Sequence, residues 1–220
     1  MSQKTILCYG DSNTWGYIPM SDHSSTKARY ARNERWPGIL QELLGTDYYV
    51  IEEGLNSRTT NLDYAPPPDR NGKTYLPSCL YSHAPIDLVI LALGGNDTKS
   101  YFNRSAEQIK DGMAELIDIV QTSKYGAELQ SPPKILVTSP VIPLQIVESF
   151  VDENGTPFML DAVNKSKAVS KLYAQLAKEK KCDYLDLSIV KPSEIDGVHY
   201  DKMAHQQCAQ LINKKIKEIC

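Results

Sequence analysis

Ser12 stands in GDSNTWGY, directly after the apolar run TILCY. A serine hydroxyl becomes a nucleophile only when a base takes its proton, a third group orients that base, and hydrogen-bond donors await the oxyanion. Near the other end of the chain, DGVHYD places Asp196 three residues before His199. At that offset a carboxylate can accept from one imidazole nitrogen and leave the other free to deprotonate a serine. Between them, LALGGNDTK puts Gly94, Gly95 and Asn96 after an apolar run, and the amide of Asn96 can donate to a developing oxyanion. Each segment has a plainer reading: Gly, Asp, Ser and Asn make ordinary turns, DGVH makes a turn with an exposed histidine, and Asn96 makes a helix cap. Only their convergence in space separates the readings.

The elements that must bring them together are legible from periodicity. Strand-length apolar runs recur at Thr5 to Tyr9, Tyr48 to Glu53, Leu88 to Leu93, Lys134 to Thr138 and Cys182 to Leu187. Helical spacing fills the intervals: Trp36 to Leu44 with Pro37 in the first turn, Tyr75 to Ser82, Ser105 to Thr122, Asp161 to Lys180 and Asp201 to Ile219. The last carries Cys208, Leu211, Ile212, Ile216 and Ile219 on one stripe. Ser105 with Gln108 has the form of a capping box, and Asp201 precedes the last stripe. Strands such as LVILAL read as buried on both faces, so the alternation implies a mostly parallel sheet between helix layers. Such sheets bind ligands beyond the carboxyl ends of their strands, where Ser12 and Asn96 would stand.

Composition narrows the class. The chain has 220 residues, 41% of them hydrophobic, enough for one well-filled core. Its 24 basic and 27 acidic residues are scattered, with no basic block to track a phosphate backbone, so nucleic acid is not an expected partner. Five widely spaced cysteines without a CxxC pair suggest neither a disulfide framework nor a zinc knuckle and fit a reducing compartment. No signal segment and no run of 18 apolar residues is evident, so a cytoplasmic protein without membrane insertion is expected. Two connections are long, Leu55 to Thr74 with prolines 66 to 68, and Ser139 to Leu160; such loops serve as lids, pocket walls or subunit contacts.

GDSNTWG, EGLNSRTT, GGND and DGVH occur in the order and approximate spacing of the four sequence blocks of the SGNH (GDSL-type) hydrolase family, and together they frame nearly the whole chain. RWPGIL, EGLNSRTTN and SHAPIDLVILALGGND further resemble its arylesterase and acyltransferase branch. The resemblance implies a flavodoxin-like three-layer α/β/α sandwich with a five-stranded parallel sheet, formed by residues 1–220 as one catalytic domain. It implies that Ser12 is the nucleophile, His199 the general base and acid, Asp196 the orienting carboxylate, and Asn96 a side-chain oxyanion donor, with the backbone NH of Ser12 as a second. The third family donor, usually a glycine NH, falls on Ser57. Gly95 occupies the variable position of the GxND block. The implied activity is cleavage of short-chain carboxylic esters through an acyl-enzyme on Ser12, with transfer to another alcohol as a further capacity. No metal or organic cofactor is required. A carbohydrate O-deacetylase is the alternative leaving-group reading. Homo-oligomers whose long loops narrow the entrance occur in that branch, so a homo-oligomer is a further expectation.

Several neighbours of these residues have open roles. Asp11, Trp15, Tyr17 and Gly95 are candidates for lining a substrate pocket, although an aromatic beside a strand end is as readily core. Arg58 is placed either to contact a substrate anion or to fix its loop by pairing with an acid, and Asp97 to brace its own loop. From another class, a flavodoxin-like binding module would cradle phosphate in the loop Gly10 to Tyr17. That reading gives His199 no role, and neither GK[ST] nor GxGxxG is present.

Overall fold

The computed structural model describes residues 3–21, 28–64, 67–152 and 154–219. Pro66 of the proline run and Cys220 lie outside the described residues. Five strands, β1 (Lys4–Gly10), β2 (Tyr48–Gly54), β3 (Leu88–Ala92), β4 (Lys134–Thr138) and β5 (Asp183–Leu185), form one sheet in the order β2-β1-β3-β4-β5. Every pairing is parallel. The helices are α1 (Ser12–Trp15), α2 (Trp36–Leu44), α3 (Gly72–His83), α4 (Ala106–Thr122), α5 (Ala162–Glu179) and α6 (Lys202–Ile219).

The period-two alternation of each strand divides the core into two layers. Leu7, Tyr9, Val89, Leu91, Ile135 and Val137 face α3, α4 and α5 through Leu80, Met113, Ile117 and Tyr173. Ile6, Cys8, Leu88, Ile90 and Leu136 face α2 and α6 through Trp36, Leu40, Cys208, Ile212 and Ile216. Both faces of the sheet are therefore dry, which is why its central strands read as unbroken apolar runs. This is the expected three-layer α/β/α sandwich.

Local chemistry sets the element boundaries. Ser105 Oγ accepts from Gln108 N at 3.2 Å while Gln108 Oε1 accepts from Ser105 N at 2.9 Å, a complete capping box at the start of α4. Asp201 Oδ1 accepts from Ala204 N at 2.8 Å and starts α6. The third helix begins three residues earlier than the apolar spacing suggests, because the Asn71 side chain accepts from Lys73 N and Thr74 N. Strand β5 is shorter than the run Cys182 to Leu187. Its end is set by side chains: Asp186 Oδ1 accepts from Ser188 N at 2.8 Å, and Leu187 N donates to Ser139 Oγ at 2.8 Å instead of to the ladder.

Register places the functional loops. Gly10, the last residue of β1, pairs with Gly54 on one side and Ala92 on the other, so three loops leave the sheet at one level. The turn after β1, which carries Ser12, then crosses β2 so closely that a Cβ on Gly54 would stand 2.2 Å from Trp15 N. Both long connections return to this edge. In the first, Thr59 N donates to Arg70 O at 2.9 Å; in the second, Leu144 N donates to Gly197 O at 2.9 Å, tying it to the histidine turn.

Candidate active site

Ser12 is the first residue of α1, and Asp11 caps it by accepting from Asn13 N at 3.0 Å. The turn closes with Thr14 N and Trp15 N donating to Asp11 O, and Gly16 caps it in the left-handed region at φ 88°. The hydroxyl is thereby lifted off the end of β1 and held on a fixed scaffold.

The histidine turn is folded by its own carboxylate. Asp196 Oδ1 accepts from Val198 N at 3.0 Å and His199 N at 2.9 Å, and Oδ2 meets His199 Nδ1 at 2.7 Å. That is what the three-residue spacing provides: one acid organises the backbone of the turn and also the ring it carries. On the other side of the ring, His199 Nε2 lies 3.0 Å from Ser12 Oγ, across 187 positions of sequence. Asp196 is 1% exposed. Burial alone would raise it, but the hydrogen bond and charge of His199 and the two backbone donors outweigh that and hold its carboxyl below the ordinary 3.8.

The loops after β2 and β3 carry the candidate donors. Leu55 to Arg58 form a turn closed by Arg58 N donating to Leu55 O at 3.1 Å, with Ser57 at φ 65°. A positive φ costs a serine about 1–2 kcal/mol relative to a right-handed conformation, so this turn does what glycine would do there, with strain. Asn96 Nδ2 donates to Arg58 O at 3.1 Å, which fixes the amide plane beside the same turn.

Two buried networks hold these loops. Arg58, 2% exposed, donates from Nη1 to Gly10 O at 3.0 Å and to Glu53 O, and its guanidinium lies 4.1 Å from the Tyr9 ring centroid. It thus joins the ends of β1 and β2 through main-chain carbonyls and stacking, not through the carboxylate that sequence suggested as its partner. Asp97, fully buried, accepts from Thr60 N, from Thr60 Oγ1 at 2.5 Å and from Arg104 Nη1 at 2.9 Å. It braces the loop as expected, and Arg104 is a partner that no motif announced.

The remaining pocket candidates are placed as follows. Tyr17 is buried, its ring centroid 4.3 Å from that of His199. Trp15 lies farther out, 6.4 Å from Tyr17, with Arg29 5.0 Å from its ring centroid. Gly95 faces Asp11: a Cβ there would sit at 3.6 Å from Asp11 Oδ2, in ordinary contact. One residue escaped sequence reasoning altogether. Asn13, 6% exposed, donates from Nδ2 to Val198 O at 3.3 Å and accepts at Oδ1 from Tyr200 N at 2.8 Å, clasping His199 on both sides. Its position beside Ser12 in the first block was the available signal.

Asp11 gives a test in pH. Burial pushes its carboxyl from 3.8 to about 6, against the opposing pull of the Asn13 NH and the nearby positive groups. A carboxyl raised on folding costs stability above its folded value and returns it as the group is protonated. The Asp11→Asn protein is therefore expected to melt higher than the parent above pH ~6, with the gap closing toward pH ~4. Parallel melting curves for the two proteins over that range would refute it.

Comparison with known proteins agrees with this arrangement. The model of the GDSL-like Lipase/Acylhydrolase family matches residues 8–207. The structure of the M. smegmatis aryl esterase is 36% identical with a TM-score of 0.89, covering 99% of this chain and 100% of that one. That of Est24, a carbohydrate acetylesterase from Sinorhizobium meliloti, is 38% identical with a TM-score of 0.90 and the same coverages of 99% and 100%. A lipase/acylhydrolase from Enterococcus faecalis shares the fold at 16% identity, with a TM-score of 0.63 over 98% of this chain and 96% of its own. No curated protein sequence matches. With its family model spanning all four blocks and its fold superposing on esterases end to end, the chain belongs to the GDSL-like lipase/acylhydrolase family and is a carboxylic ester hydrolase.

Proposed function

We propose that Ser12, His199 and Asp196 form the catalytic triad of a serine esterase for short-chain carboxylic esters, with residues 1–220 acting as one catalytic domain. His199 Nε2 takes the Ser12 proton as Oγ attacks the ester carbonyl. The oxyanion is held by the backbone NH groups of Ser12 and Ser57 and by Asn96 Nδ2. Collapse passes the proton from the imidazolium to the leaving alkoxide, and the acyl group stays on Ser12. Water, deprotonated by the same nitrogen, attacks the acyl-enzyme and releases the acid; an alcohol in its place gives acyl transfer.

The observation that carries this reading is the unbroken relay from Ser12 Oγ to His199 Nε2 at 3.0 Å and from His199 Nδ1 to Asp196 Oδ2 at 2.7 Å. A non-catalytic binding module would leave that relay without a use. Asn96 is supported as a donor because one amide hydrogen is spent on Arg58 O, which aims the other. Tyr17 is supported as the wall behind the imidazole. Carbohydrate acetyl esters are the second substrate reading, favoured by the 38% identity to a carbohydrate acetylesterase.

A cytoplasmic homo-oligomer completes the proposal. Cys8, Cys79, Cys182 and Cys208 are free thiols, and no helix among the described residues is long and apolar enough to cross a membrane. Ile146, Val151, Phe158 and Leu160 of the second long loop are exposed, as is Ile195 beside the triad acid, so an apolar border flanks the site. A monomer mass by light scattering, or recovery of the protein outside the cytoplasmic fraction, would remove these two assignments.

Three substitutions test the mechanism. Ser12→Ala is expected to abolish hydrolysis of p-nitrophenyl acetate with the fold intact, and Asn96→Ala to lower kcat by about 10²–10³, the loss for one oxyanion donor. Turnover at the parent rate by Ser12→Ala would end the reading. Rates across acetyl to octanoyl esters and acetylated sugars should peak at acetyl; a maximum at octanoyl contradicts the short-chain assignment. Asn13→Ala is expected to lower kcat about 10²-fold with KM little changed, because it loosens the histidine turn by misplacement alone. An unchanged kcat would show that Asp196 holds the turn unaided.

A further inference from the structure

Where α3 covers the end of β2, on the same sheet face as Tyr9 and Ile51, Glu53, Cys79 and His83 bring a carboxylate, a thiol and an imidazole together. Their ligand atoms all lie within 4.8 Å of one another. Cys79 and His83 are four residues apart on α3 and so share one face of the helix, turned toward the end of β2. His83 Nε2 meets Glu53 Oε1 at 2.8 Å, and Cys79 is buried beneath them at 1% exposure. The pair Glu53 and His83 is an ordinary ion pair by itself; the thiol under it is what makes the trio a ligand set.

We propose that Glu53, Cys79 and His83 form a binding site for a zinc-class divalent transition ion. Sulfur and imidazole nitrogen select borderline-soft ions over Mg²⁺ or Ca²⁺, which take oxygen cages. Zinc–sulfur and zinc–nitrogen bonds of about 2.3 and 2.0 Å at tetrahedral angles put ligand atoms about 3.5 Å apart, within side-chain adjustment of the separations present. A cavity of about 510 Å³ lined by Glu53, Tyr75 and Ser78 among others, though by neither Cys79 nor His83, borders the trio on its Glu53 side and gives an ion a path of approach. Tyr75 Oη, 3.4 Å from Glu53 Oε1, borders the same opening.

Loading is a ligand exchange without redox change. The ion displaces the Cys79 thiol proton to solvent, and the Glu53–His83 hydrogen bond is replaced by two bonds to metal as the imidazole proton moves to Nδ1. The site contributes none of its three side chains to the hydrogen-bonded series of Ser12, His199 and Asp196. Its position makes it structural, because Glu53 O accepts from Arg58 and an ion there pins the end of β2 and its loop to α3.

Co²⁺ is the probe, added to the reduced, untagged full-length protein. Expected are a thiolate-to-cobalt charge-transfer band, its loss on adding Zn²⁺, and a melting temperature raised by either ion but not by Mg²⁺ or Ca²⁺. Cys79→Ser should remove the band, and His83→Ala should weaken Co²⁺ binding about tenfold or more, with metal-free ester turnover of His83→Ala equal to the parent's. Absence of the band in the parent overturns the site, as does its persistence in Cys79→Ser. If Cys79→Ser does not fold, His83→Ala decides, since Co²⁺ affinity equal to the parent's overturns the site as well.

Discussion

A single buried asparagine amide joins the two ends of this chain. Asn13 sits one residue past Ser12 and bonds the main chain at Val198 and Tyr200, so the residues on either side of His199 are fixed to the nucleophile turn itself. The bond from Tyr200 N is made away from bulk water, where losing it would leave a buried main-chain group unpaired at a cost of about 1–3 kcal/mol; that to Val198 O is partly buried. The distance between hydroxyl and imidazole is therefore not left to the packing of α6 against the sheet. It is set locally, by one side chain that reads the position of the other loop.

The sheet does the coarser positioning. Gly10, Gly54 and Ala92 stand side by side in the ladder, and the loops after them carry Ser12, Ser57 and Asn96. A one-residue slip would invert every side chain of a strand between two apolar layers, so burial on both faces specifies the register strongly. Arg58 locks the same level by bonding the carbonyls of Gly10 and Glu53. The level at which the oxyanion donors stand follows from core packing, and only the last ångströms are left to hydrogen bonds.

This division explains what was legible in the sequence. Layering follows from period and length, so β1 to β4 and all the longer helices were readable to within a few residues, whereas the strand order β2-β1-β3-β4-β5 was not. Ser12, Asp196, His199 and Asn96 stood out because their residue types have few structural equivalents at such spacing, and the fold brings the first three into one hydrogen-bonded series. What stayed hidden depends on tertiary partners: β5 stops early because Ser139 takes its next NH, and Arg104 reaches Asp97 only in the folded chain. Ser57 was placed by block alignment, but its left-handed backbone is imposed by the turn from Leu55 to Arg58, against the preference of its side chain.

The electrostatics of the site separate two carboxyls by environment. Asp196 receives two main-chain NH groups and the imidazole, and is held below the ordinary range; Asp11, with one NH and no hydrogen bond from the imidazole to offset its desolvation, rises to about 6. Groups whose surroundings push them apart in this way take different roles. Asp196, meeting His199 Nδ1, favours the tautomer that leaves Nε2 free to face Ser12. Asp11 changes charge at about pH 6, and while ionised it adds a second negative charge near His199, which in the proposed mechanism would stabilise the imidazolium. The energetic burden of burying that charge falls on the turn from Asp11 to Gly16, which Asn13 ties to the main chain on both sides of His199.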